Sequence, residues 1–244
     1  MPGALSIVGL GPGRGELRTG AAERAVREAQ VVVGYGPYVD QCADLLGGQR
    51  IERGTMGGEE ERARAAVELA AAGERVALVS SGDAGIFGMA ALALRAAAGV
   101  PEDRRPAVEV VPGVTAATAT AARIGAPLGD FATVSLSDVL EPWERVEARI
   151  AALAPTDLAL ALYNPRSRTR TWQLGRACEI LLEHRAPDTV VALATDVGRD
   201  DERIELTTLA TIDVERVAMR TLVVVLGPHV ERAGPWLVTA RGRS

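Results

Sequence analysis

A single carboxylate sits among three glycines in Ser81-Gly82-Asp83-Ala84-Gly85-Ile86-Phe87-Gly88. Glycine lets a backbone come close to a ligand, and a carboxylate accepts hydrogen bonds from ligand hydroxyls or ammonium groups. An ordinary strand-to-helix turn, with Asp83 capping the helix, uses the same residues. Two other stretches have the same character. Gly9-Leu10-Gly11-Pro12-Gly13 is a bare backbone turn, and Pro112-Gly113-Val114-Thr115-Ala116-Ala117 carries a hydroxyl that either meets a ligand or caps a helix. Gly9 and Gly11 match two positions of a dinucleotide fingerprint, but Arg14 replaces its third glycine and Pro12 interrupts the turn. Both departures disfavour an NAD-binding oxidoreductase.

All 27 basic residues of the 244-residue chain are arginine, so lysine Schiff-base chemistry is excluded. The two cysteines, Cys42 and Cys178, form no CxxC pair, and His184 and His229 cannot make a three-histidine site, so no metal is expected. A net charge of -5 argues against a nucleic-acid footprint. The start of the chain lacks a signal-peptide pattern and no apolar run is long enough to span a membrane, which predicts a cytoplasmic protein with no membrane partner.

The elements that position these loops follow from periodicity. Apolar runs at 4–9, 31–34, 75–79 and 108–111 read as buried parallel strands, and the three glycine loops leave three of them. Helical spacing covers 19–29, with Thr19 as cap, 59–72 behind Glu59-Glu60-Glu61, and 89–98. Loops at the carboxyl ends of parallel strands line the ligand crevice, so the three should share one rim. A composition break at Gly125-Ala126-Pro127-Leu128-Gly129-Asp130 divides the chain into domains 1–127 and 128–244. In the second, strands are expected at 132–135, 157–162, 190–195, 203–209 (an edge hairpin) and 221–226, with helices at 143–153 and 171–182. Trp236-Leu237-Val238 should pack locally, and the last residues, 241–244, should fray. The fold class is α/β, two domains with glycine loops facing a cleft between them. No residue qualifies as a general base and the catalytic residues stay unassigned. Chemistry of this kind rests in an activated co-substrate that the protein binds and orients, and methyl transfer from S-adenosylmethionine fits that description.

The three glycine loops, in this order and spacing, resemble the landmarks of the tetrapyrrole (corrin/porphyrin) methylases, and the likeness runs from about Leu5 to Gly227. Four more stretches resemble the members of that family that methylate precorrin-3B at C17. They are Val33-Gly34-Tyr35-Gly36-Pro37-Tyr38, Ser135-Leu136-Ser137-Asp138, Ala161-Leu162-Tyr163-Asn164-Pro165-Arg166-Ser167 and Leu181-Leu182-Glu183-His184-Arg185. The resemblance implies two α/β domains of the family's type with the active-site cleft between them. It also implies methylation of precorrin-3B at C17 with ring contraction to precorrin-4 in cobalamin biosynthesis. The cobalt-precorrin-3 enzymes of the anaerobic route share these motifs, and methylation at C11 or C20 is the alternative within the family. A non-catalytic binding protein that kept the fold is the alternative outside it.

Carried over residue by residue, contacts to S-adenosylmethionine, and to the product S-adenosylhomocysteine, fall on Pro12, Ser81, Gly82, Asp83, Ile86, Thr115 and Ala116 of the first half. Those of the second half fall on Tyr163, Asn164 and Val197. Ala84 stands where the family usually has proline, and Asp196-Val197-Gly198-Arg199 where it often has Asn-Ala-Gly-Arg. A precorrin carries many carboxylates, so Arg166, Arg168 and Arg199 are candidate donors to the tetrapyrrole, with Ser137 and Asp138 orienting it. Each is equally consistent with a surface or helix-entry role. The family pairs its subunits, so a homodimer is implied, with Tyr35, Tyr38 and Trp143 suited to its interface.

Overall fold

The structure, a computed structural model, describes residues 2–240, so the expected fraying of 241–244 lies outside the described residues. The chain divides into two compact units between Thr115 and Ala116.

The first unit holds β1 (Ala4–Gly9), α1 (Gly20–Glu28), β2 (Val31–Tyr35), α2 (Gly36–Gln41), β3 (Arg50–Gly54), α3 (Glu59–Ala71), β4 (Arg75–Ser80), α4 (Ala90–Ala98) and β5 (Ala107–Val111). Its strands form one parallel sheet in the order β3-β2-β4-β1-β5. Because strand side chains alternate, Leu5, Ile7, Val31, Val33, Val76 and Leu78 pack under α3 and α4. Val8, Val32, Ala77 and Val79 pack on the opposite face, under α1 and α2. That double burial is why the central strands are apolar without alternation. The Thr19 hydroxyl accepts the Ala22 N–H at 3.1 Å and starts α1 as its sequence predicts. β3 was not expected from its residues, since Arg50-Ile51-Glu52-Arg53 is charged. It lies at the sheet's edge, where charge is tolerated and discourages further pairing.

The second unit holds α5 (Ala116–Ile124), β6 (Gly125–Ala126), β7 (Phe131–Ser135), α6 (Trp143–Leu153), β8 (Ala159–Tyr163), α7 (Gln173–Leu182), β9 (Val190–Thr195), β10 (Arg203–Thr208), β11 (Thr221–Val225), β12 (Val230–Ala233) and β13 (Trp236–Thr239). Its main sheet has the order β10-β9-β11-β8-β7. β7 and β8 run parallel, and β11 inserts antiparallel to both β8 and β9, so β7, β8 and β9 end on the same rim. Val146, Ile150, Leu174 and Leu181 of α6 and α7 cover Val134, Leu160, Leu162 and Val223. The expected edge hairpin is present as β9 and β10.

The composition break at 125–130 lies inside this unit. Gly125 and Ala126 form β6 and pair with Leu237 and Val238 of β13, whose partner is β12. The Thr239 hydroxyl donates to the Pro127 carbonyl at 2.7 Å. Both cysteines are free and buried, and burial pushes each thiol up to about 11. At pH 8 only about one thiol in a thousand is ionised, so both should resist iodoacetamide in the folded protein and react after unfolding. Mass spectrometry of the alkylated chain checks this; fast labelling of either cysteine in the folded protein would contradict the burial.

Candidate active site

The three glycine loops of the first unit leave β4, β1 and β5, which are neighbours in the sheet, so they stand side by side on one rim. They are also tied to one another. Gly11 and Gly82 exchange backbone hydrogen bonds, 3.0 Å from Gly11 N–H and 2.7 Å from Gly82 N–H. The Gly11 carbonyl also accepts from the Ser81 hydroxyl at 3.3 Å and from Gln41 Nε2 at 2.8 Å. The Asp83 carboxylate accepts three backbone N–H groups: Gly85 at 2.8 Å and Ile86 at 3.2 Å on Oδ1, and Gly113 at 2.9 Å on Oδ2. It does not cap α4, whose first turn begins at Ala90 behind Met89. Asp83 therefore closes its own turn and fastens the β4 loop to the β5 loop.

The backbones at this junction are as close as glycine allows. A Cβ on Gly113 would lie 2.2 Å from the Gly82 carbonyl oxygen and 2.7 Å from that of Gly9. Gly82 itself has φ +68°, and a Cβ there would point into open space, so its bare backbone faces an opening. Phe87, half exposed, adopts φ +54°, a conformation that a bulky side chain takes only when its surroundings impose it. Pro12, Ser81, Gly82, Asp83, Ile86 and Thr115 are thus brought to one rim, Pro12 and Thr115 being buried. Sequence reasoning missed Gln41, whose residue type and position stand out only once its bond to the Gly11 carbonyl is seen.

In the second unit the loops after β7 and β8 interlock. Asn164 has φ +51°, its Nδ2 donates to the Ser135 hydroxyl at 2.9 Å, and its carbonyl accepts from Arg170 Nε at 2.8 Å. The Tyr163 hydroxyl accepts the Ala117 N–H at 3.1 Å, which places Tyr163 beside Ala116 at the start of α5. Asp138 accepts from Gln173 Nε2 at 2.8 Å, and the Ser137 hydroxyl lies 3.4 Å from Arg170 Nη1.

Past β9, Asp196 is buried at φ +53°, with Arg220 Nε 2.9 Å and Arg199 Nε 3.9 Å from its Oδ1; Val197 is buried next to it. The candidate substrate arginines differ in what holds them. Arg166 is engaged inside the protein: its guanidinium pairs with Glu215 and donates to the Thr171 and Val214 carbonyls at 3.0 and 3.2 Å. Arg199 is loosely paired, and Arg168 is exposed with no ion pair among the described residues. Among the described residues no group of three histidine, cysteine or acidic side chains could hold a metal. Trp143 is edge-on to Trp172 at 5.0 Å and donates to Glu147 at 2.9 Å, and Tyr35 meets Tyr38 at 5.3 Å.

A rim of closely packed backbone with one open glycine face leaves room beside bare main chain and offers few reactive groups of its own. The chain belongs to the tetrapyrrole (corrin/porphyrin) methylases, whose family profile matches residues 4–213. Two curated relatives align over nearly all of it. One, from Salmonella typhimurium, is a probable cobalt-factor III C(17)-methyltransferase, 41% identical over 98% of both chains. The other, from Sinorhizobium, is a precorrin-3B C(17)-methyltransferase, 42% identical over 96% of this chain and 94% of its own. Among solved structures, the methyltransferase CobJ is 40% identical, covers 98% of this chain and 100% of its own, and superposes with a TM-score of 0.91. A uroporphyrin-III C-methyltransferase from Thermus thermophilus, solved with S-adenosylhomocysteine, is 27% identical over 96% of this chain and 97% of its own, with a TM-score of 0.66.

Proposed function

We propose that this chain is an S-adenosylmethionine-dependent methyltransferase acting at C17 of precorrin-3B or of its cobalt-bearing counterpart, with ring contraction, in cobalamin biosynthesis. The observation that carries the reading is the near-full-length likeness to two relatives that differ in the presence of cobalt and agree on C17. When bound, S-adenosylmethionine supplies the methyl group: its S–CH3 bond breaks as a C–CH3 bond forms, and the sulfur keeps the electron pair in S-adenosylhomocysteine. The protein's part is to bind, orient and exclude water. Pro12, Ser81, Gly82, Asp83, Ile86, Thr115, Ala116, Tyr163, Asn164 and Val197 are the proposed co-substrate set. Asp83 acts in it chiefly by holding the loops in shape. Ser137, Asp138, Arg168 and Arg199 are proposed to meet the macrocycle.

The working form we infer is a homodimer in the cytoplasm. Two cysteines buried as thiols accord with a reducing compartment, and no helix among the described residues is long and apolar enough to cross a membrane. Calorimetric titration with S-adenosylhomocysteine tests the co-substrate assignment. Micromolar binding is expected, and no binding by the folded protein would remove it.

A further inference from the structure

Three arginines are buried among the described residues, and they differ in what answers their charge. Arg18 donates to both oxygens of Asp44, at 2.9 and 3.1 Å, and Arg62 stands 3.5 Å from Glu59. Arg170, only 7% exposed, has no carboxylate within ion-pair distance among the described residues. Its Nε donates to the Asn164 carbonyl at 2.8 Å and its Nη1 reaches the Ser137 hydroxyl at 3.4 Å; Nη2 has no acceptor there. The half-buried Arg185 also lacks a carboxylate, but the Leu153, Ala154, Thr156 and Leu158 carbonyls all accept from it.

Arg170 is thus a largely buried cation with one short hydrogen bond and an Nη2 edge that is unbonded within the protein and still reached by solvent. Burial lowers its pKa, and the nearest opposing charge, Asp138, is exposed and engaged by Gln173. A buried charge without a partner is unfavourable, and an external anion removes the penalty while gaining charge-assisted hydrogen bonds. The position is also distinctive: Arg170 bridges Ser137 of the β7 loop and Asn164 of the β8 loop, the stretches that sequence reasoning assigned to the macrocycle and the co-substrate. Arg166, one of the three candidate arginines of the sequence, is already held by Glu215.

We propose that Arg170, rather than Arg166, receives a carboxylate of a bound ligand. The identity of that ligand rests on the methyltransferase reading, which offers two sources of one chemistry: the methionine carboxylate of the co-substrate, or an acetate or propionate arm of the tetrapyrrole. Three measurements on wild type, Arg170→Met and Arg170→Lys separate them. These are the affinities for S-adenosylhomocysteine and for 5′-methylthioadenosine, which lacks the carboxylate, and the KM for precorrin-3B or cobalt-factor III, whichever turns over. Losing a charge-assisted pair weakens binding roughly tenfold to a hundredfold.

If Arg170 meets the co-substrate, Arg170→Met loses that factor for S-adenosylhomocysteine and nothing for 5′-methylthioadenosine. If it meets the macrocycle, both nucleoside affinities hold and the KM rises by that factor. Arg170→Lys, which keeps the charge without the fork, should fall between, and it carries the test if the Met variant does not fold. Unchanged values in all three measurements overturn the proposal. So does a parallel loss in all three with a lowered Tm, which would make Arg170 only a brace for Asn164. Wild-type protein that binds neither nucleoside and turns over neither macrocycle would remove the methyltransferase reading, and this assignment with it.

Discussion

Gly113→Ala should lower the unfolding temperature by about 10 °C and abolish binding of S-adenosylhomocysteine. The added methyl carbon would sit 2.2 Å from the Gly82 carbonyl oxygen and 2.7 Å from the Gly9 carbonyl oxygen, far inside contact distance. None of these atoms is the end of a flexible side chain. Relief requires the β1, β4 and β5 loops to move apart, which would break the Gly11–Gly82 bridge and the Gly113 N–H bond to Asp83. Overpacking of this severity costs about 3 kcal/mol, and in a chain of this length each kcal/mol moves Tm by about 2–4 °C. Gly175→Ala is the matched control, because nothing lies within 4 Å of a Cβ there and the residue is in α7. That change should be neutral or stabilise by up to about 1 kcal/mol. Scanning calorimetry of the two variants decides; a Gly113→Ala protein that melts and binds like wild type would mean the loops are not fastened as described.

Asp83→Ala should cost about 2 kcal/mol and weaken S-adenosylhomocysteine binding at least tenfold, because three backbone N–H groups lose their acceptor together. Asp83→Asn separates a brace from a ligand contact. Its amide oxygen can still accept from Gly85 and Ile86, but its NH2 would face the Gly113 N–H, donor against donor. The asparagine variant should therefore lose much of what the alanine variant loses in both stability and affinity. An Asp83→Asn protein with wild-type Tm and impaired binding would instead mark Asp83 as a direct partner of the ligand. Isothermal calorimetry and thermal melts on the same samples give both numbers.

The rim of glycine loops was legible because its signals are local. Glycines at the ends of three apolar runs need only a parallel sheet to bring them together, and the order β4-β1-β5 does so. What Asp83 does was not legible: a carboxylate next to glycine reads equally as ligand contact or helix cap, and its role as a clasp appears only with the Gly113 N–H 2.9 Å away. β3 was hidden by its charge, and the β12–β13 hairpin by its distance in sequence from Gly125 and Ala126, which it joins. Arg170 was hidden by composition. Where every basic residue is arginine, the buried Arg170 looks like its half-buried neighbour Arg166 and its exposed neighbour Arg168 until burial and partners are compared.

Methyl transfer to C17 is tested by following the methyl group itself. The protein would be given S-adenosylmethionine labelled with 13C in the methyl, together with precorrin-3B in one reaction and cobalt-factor III in another, and the product carbons would be located by NMR. A labelled methyl on C17 of a contracted ring is expected in at least one of the two reactions. A label on another ring carbon, or none transferred to either macrocycle by protein that binds S-adenosylhomocysteine, would contradict it.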